Sequence, residues 1–130
     1  MDMEALGAED YESVHRASRG LAARYGMVTL NTMMEAWEAL VEDTEEGFDA
    51  ELAWEYADRL RCRRWLAEAW PLFTDRIRTA RQAELDALDA RFHLATVPLY
   101  GQADDARWHS RRPRLIVGEA SLELPRSWVL

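Results

Sequence analysis

Apolar residues recur at helical spacing in four successive stretches of this chain. In the first, Tyr11, Val14, Leu21 and Tyr25, with small Ala17 and Ser18 between, fall on one side at about 100° per residue. The spacing predicts a helix over Ala8 to Tyr25. Its acids lie in the first turn, Arg24 in the last, and Gly26 is a natural stop. Gly20 inside it invites a close helix crossing. The second stretch opens on Thr32-x-x-Glu35, which has the form of a capping box. Met33, Trp37, Leu40, Val41 and Thr44 then make an apolar stripe, and glutamates line the back.

After a break at Gly47, Phe48, Leu52, Tyr56, Leu60 and Leu66 predict a third helix running to about Ala69. Trp54 and Trp65 fall on a different side of it, eleven residues and therefore nearly three turns apart. A helix apolar on two sides is central, or it presents a second, binding surface. Pro71 suits the first turn of a fourth helix, which carries Phe73, Ile77, Ala80, Leu85, Leu88 and Phe92 inward.

Beyond Phe92 the period changes. Val97-Pro98 and Gly101 end any helix, and Asp104 to Pro113 is a polar loop or helical turn around Trp108. Arg114 to Val117 and Ala120 to Leu124, joined by Gly118-Glu119, predict a β-hairpin. The last residues add a short strand or tuck Trp128 under the helices. A lone hairpin is marginal in water, so it must pack on something. The expected fold is mainly α: a compact bundle of about four helices with a short C-terminal β-hairpin. A small sheet reaching back to residues near Leu94 would make it formally α+β. Residues 1–130 are expected to form a single domain, with a helical core over 8–92 and a loop-plus-hairpin tail over 93–130.

Charge sharpens this outline. Residues 1–56 carry 14 acids against 3 arginines, a balance of −11; residues 57–130 carry 10 acids against 13 arginines, a balance of +3. Nine acids and no base lie between Glu35 and Glu55, and the sign reverses at Arg59, Arg61, Arg63 and Arg64. Like charges at i,i+4, such as Glu38 with Glu42, repel and call for arginines elsewhere in the fold or in a partner. A negative field opposes nucleic-acid binding and steers basic proteins. The basic run Trp108 to Arg114 could hold phosphates through Arg111, Arg112 and Arg114, but it sits beside Asp104 and Asp105. No stretch approaches a membrane span, and the acidic N-terminus is unlike a signal peptide, which points to the cytoplasm.

Catalytic chemistry finds little to build on. Glu12-x-x-His15 has a di-iron spacing without the second motif such sites need, and His93 four after Asp89 fits an ordinary helix C-terminus. Asp105 and His109 repeat that i,i+4 spacing. The serines lack a nucleophile elbow, and the glycines form no phosphate loop. Cys62 is single, which excludes an internal disulfide. Its flanking arginines could lower the thiol pKa, but the expected role is a small semi-buried helix residue. No catalytic residue, metal site or cofactor is expected.

The remaining candidate is a protein-binding surface. Glu35, Glu38, Glu42, Glu45, Glu46 and Asp49, with Trp54 as an aromatic anchor, suit a basic protein partner: charge sets the association rate and aromatics supply the anchor points. The expectation is a non-enzymatic inhibitor, immunity-type or adaptor protein. The alternative is a helical pocket protein holding a small apolar ligand in a cavity lined by Trp37, Trp54, Trp65 or Trp70. A homodimer through Trp54 and Trp65 is compatible with either.

Overall fold

The computed structural model describes residues 6–103 and 107–129. Four principal helices are joined by shorter pieces: α1 (Ala8–Tyr25), α2 (Leu30–Glu46), α3 (Tyr56–Arg59), α4 (Arg61–Ala69), α5 (Asp75–Leu94) and α6 (Arg126–Val129). Two short ladders accompany them. β1 (Phe48–Asp49) pairs in parallel with β4 (Ile116–Val117), and β2 (Thr96–Pro98) pairs antiparallel with β3 (Arg111–Pro113). The fold is a mainly helical bundle with a small C-terminal antiparallel sheet, as the hydrophobic pattern predicts. The sheet does reach back to the residues after Leu94.

Local details differ from the sequence reading. Thr29, not Thr32, caps α2: its hydroxyl accepts from the Thr32 N–H at 3.1 Å, so the Thr32–Glu35 box is not the start. Pro71 lies in a 3-10 turn (Trp70–Leu72), and α5 begins later, at the Thr74 cap. Tyr11 is exposed; Asp10 and Ser13 take the buried positions instead. Gly20 lies on the surface with no neighbour against it. The predicted strands at 114–117 and 120–124 do not pair with each other. Ile116 and Val117 reach Phe48 and Asp49, and 120–124 is not a strand. The expected N-terminal lead-in, Asp104, Asp105 and Leu130 lie wholly or partly outside the described residues.

The third predicted helix is jointed. Gly47, at φ +120°, turns the chain out of α2. A Cβ there would meet the Val117 Cγ1 at 2.7 Å, so this approach of β4 requires glycine. Asp49 then caps a 3-10 segment (Ala50–Glu55) by accepting from the Glu51 N–H at 2.9 Å. The rotation accumulated through this segment and the joint at Leu60 separates the two tryptophans assigned to one side. Trp65 is fully buried, whereas Trp54 remains 60% exposed. No exposed stripe therefore joins them: of the two tryptophans expected to line a dimer surface, Trp54 is on the surface and Trp65 is in the core.

α4 lies between α1 and α2, and α2 between α4 and α5. Trp37, Leu40, Val41, Trp65, Leu66 and Ala69 fill the shared core at no exposure. Trp128, on α6, is tucked against Phe48 and Tyr56, with ring centroids 6.1 and 5.2 Å apart. The tail thus contributes to the main core, as the sequence required of it.

A polar joint holds the N-termini of α1 and α5 together. Asp10 accepts from the Gly7 N–H at 2.8 Å and from the Thr74 hydroxyl at 2.6 Å, while the Ser13 hydroxyl accepts from the Thr74 N–H at 3.2 Å. These bonds, the Thr74 hydroxyl's first, hold the Asp10 carboxyl below its ordinary value of 3.8. Protonation is thereby disfavoured in the folded state. The carboxylate's contribution is complete above that ordinary value and is lost as pH falls through the lowered one. Asp10→Ala is expected to flatten the fall in melting temperature below about pH 4. An acid limb identical to wild type would exclude this role.

Candidate functional site

The backbone of α2 places its glutamates before any partner is considered. At about 100° per residue, Glu35, Glu38, Glu42 and Glu46 occupy an arc of roughly 80°, opposite buried Trp37, Leu40 and Thr44. The arc extends roughly 16 Å along the helix. All four are exposed, and no hydrogen bond or ion pair among the described residues engages their carboxylates. The ridge is a continuous strip of carboxylates with no direct partner among the described residues.

The acids on either side of that ridge are used within the fold. Glu45 takes the Arg91 guanidinium in a bidentate pair at 3.0 and 2.6 Å. This bond lowers the Glu45 pKa. The same bond raises that of Arg91, with Glu45, Glu42 and Glu38 adding attraction. Asp43 receives Arg59 at 2.7 Å. Two arginines from the basic half thus offset part of the like-charge repulsion on α2.

The other sequence-predicted residues belong elsewhere. Asp49 is a cap, beside Gly118 of the β4 end. Trp54 donates its indole N–H to the Glu123 carbonyl at 2.6 Å, and neighbouring Glu51 binds Ser121 through backbone and hydroxyl. Trp54 is thus anchored on the tail, and its bonds tie it to no α2 glutamate. It borders a slot of about 220 Å³ with Tyr56, Leu60, Leu99 and Trp128.

Three further open clefts are present. One of about 450 Å³ runs between α2 and the start of α4, floored by Val28, Met33, Ala36, Ala39 and Cys62. A second, of about 350 Å³, lies beside the Glu45–Arg91 pair. The third, of about 420 Å³, gathers Arg63, His93, Arg107 and Trp108. None of the four is lined by Trp37, Trp65 or Trp70. Trp37 donates to Asp89 and Trp70 to Gln82, so both indoles are tied into the fold.

Cys62 and Glu12, both weighed for chemistry, have structural partners. Cys62 is buried, its thiol pushed up to about 11 by that burial, and it donates to the Arg59 carbonyl at 3.2 Å. Burial outweighs the flanking arginines, in line with the expected small buried helix residue and against the reactive alternative. Glu12 pairs with Arg19 at 3.2 Å. Among the described residues no three of His, Cys, Asp and Glu converge as metal ligands would. The basic run is divided: Arg111 is buried, Arg112 binds the Pro113 carbonyl at 2.8 Å, and Trp108 faces Arg63 at 5.7 Å. No helix among the described residues is long and apolar enough to cross a membrane.

Sequence reasoning missed Asp89 as the acceptor shared by Arg63 and Trp37. Its only local signal was an acid at the edge of an apolar stripe. Comparison with protein-family models, with curated proteins and with solved structures returned no match.

Proposed function

We propose that the protein binds a basic protein partner through the outer ridge of α2 and acts without catalysis, as an inhibitor, immunity-type or adaptor protein. The observation that carries this reading is the uneven use of charge on one helix. Asp43 and Glu45 have arginine partners within the fold, whereas Glu35, Glu38, Glu42 and Glu46 have none among the described residues. Parallel, unpaired carboxylates repel one another, and a cationic surface would relieve that repulsion while steering association.

The test reverses charge where internal pairing is least disturbed. Glu35→Arg with Glu46→Arg leaves the Glu45–Arg91 pair and its Glu38 and Glu42 neighbours in place. In pull-downs from the source cell's lysate at low salt, the wild type is expected to retain one basic protein that the double variant loses. With that protein purified, the association rate should fall by about tenfold or more and should depend steeply on salt. Equal rates for wild type and variant would overturn the reading.

A further inference from the structure

The ridge borders a groove whose two walls are electrically unlike. The floor is apolar: Val28, Met33, Ala36 and Cys62, with Ala39 on the α2 lip. Along that lip Glu35, Ala39, Glu42 and Glu46 follow one another at i, i+4, i+7 and i+11. The opposite wall carries Arg59 and Arg61, with Asp58 beside them 4.0 Å from Arg61. Arg59 is engaged by Asp43 at 2.7 Å, and Arg61 donates to the Arg24 carbonyl at 2.6 Å and lies 5.1 Å over the Tyr25 ring. The cations of that wall are therefore engaged, Arg59 by Asp43 of α2 itself, whereas Glu35, Glu42 and Glu46 have no hydrogen bond or ion pair among the described residues.

We infer that this groove receives an amphipathic helix of the partner, its apolar face on Met33, Ala36 and Ala39 and its cationic flank against Glu35, Glu42 and Glu46. The inference rests on the acidic-ridge reading and adds the partner's form. A helix fits because the groove is built between helices, where ridges pack into grooves at about 8–10 Å. Ala36 and Ala39 leave room for that approach. A strand has no purchase there: no residue of β1 to β4 lines the groove. The charge asymmetry also orients the occupant, since the carboxylates without an ion pair among the described residues, Glu35, Glu42 and Glu46, lie on the α2 side. The partner's sequence should then carry apolar residues at i, i+3, i+4 and i+7 with Arg or Lys along one flank.

Two synthetic peptides of identical composition test this. One places leucines at helical spacing with arginines on one flank; the other scatters the same residues so that no apolar face forms. Binding to the full-length protein is read by fluorescence anisotropy at low salt. Variants are Ala39→Trp, which fills the groove from an exposed position, and Glu35→Arg/Glu46→Arg, with folding checked by circular dichroism. The helical peptide should bind at least tenfold more tightly than its isomer, and each variant should abolish that advantage. If Ala39→Trp leaves it unchanged, or both peptides bind wild type equally but not the charge variant, the groove inference falls while the acidic-ridge reading stands. If the charge variant binds both peptides as wild type does, or wild type binds neither, both fail. A dimer detected by sedimentation and broken by Ala39→Trp would make a second copy the occupant, which also overturns the inference.

Discussion

Asp89→Ala should be among the most destabilising single substitutions outside the apolar core, at about 3 kcal/mol. The carboxylate accepts from Arg63 Nε and Nη2, both at 2.9 Å, and from the Trp37 indole N–H at 3.1 Å. Arg63 is only 12% exposed, and its Nη1 is buried without a hydrogen-bond partner. Removing the acid would leave that charge and the Trp37 N–H stranded. Because Asp89 is itself about a third exposed, water offsets part of the loss, and the lower end of the range for broken buried pairs applies. Denaturant unfolding should show the midpoint moving without a change in slope. Asp89→Leu combined with Arg63→Met should be less destabilised than Asp89→Ala, because no charge is then left unpaired. A loss under roughly 0.5 kcal/mol for Asp89→Ala would mean that this triad does not hold α2, α4 and α5 together.

Arg111→Ala should cost a similar amount, about 3 kcal/mol, with its effect concentrated in the tail. The side chain is 3% exposed. Its Nε donates to the Thr96 hydroxyl at 2.8 Å, and Nη2 to the Thr96 carbonyl at 2.8 Å and the His93 carbonyl at 3.3 Å. One guanidinium thus satisfies acceptors at the end of α5 and in β2 while its own backbone lies in β3. Its carbonyl also receives the Tyr56 hydroxyl at 2.9 Å. Arg111→Lys should recover little, since an ammonium cannot reproduce the planar fork. Amide exchange should accelerate at Thr96, Val97, Leu99, Ser110, Arg112 and Arg114 ahead of α2 and α4. Uniform acceleration across the chain would show instead that this anchor is inseparable from the main core.

These two residues mark where sequence reading runs out. Arg111 looked like a phosphate contact because three arginines and a tryptophan stand together in the chain; the β3 strand then alternates them, burying one. Asp89 stood out only as the acid four residues before His93, because its actual partners lie 26 and 52 residues away. Trp54 and Trp65 were placed together by an angle that assumed an unbroken α-helix. The 3-10 segment and the joint at Leu60 void that assumption. Among the site residues, Glu35, Glu38, Glu42 and Glu46 are exposed as expected. Glu45 is diverted to Arg91, and Trp54 to the tail.

What this chain's sequence determined alone is what short-range periodicity encodes: the principal helices, the inward positions of Trp37, Leu40, Leu66, Ile77 and Phe92, and the acidic back of α2. A repeat of 3.6 residues needs only neighbours within two turns to be read. The tertiary structure alone decided which charges are spent and which remain. It chose Arg91 for Glu45, Arg59 for Asp43 and Ile116 for Phe48, and among the described residues it gave the α2 ridge no ion pair of its own. Such pairings join residues far apart in the chain, and no local pattern carries the distance between them.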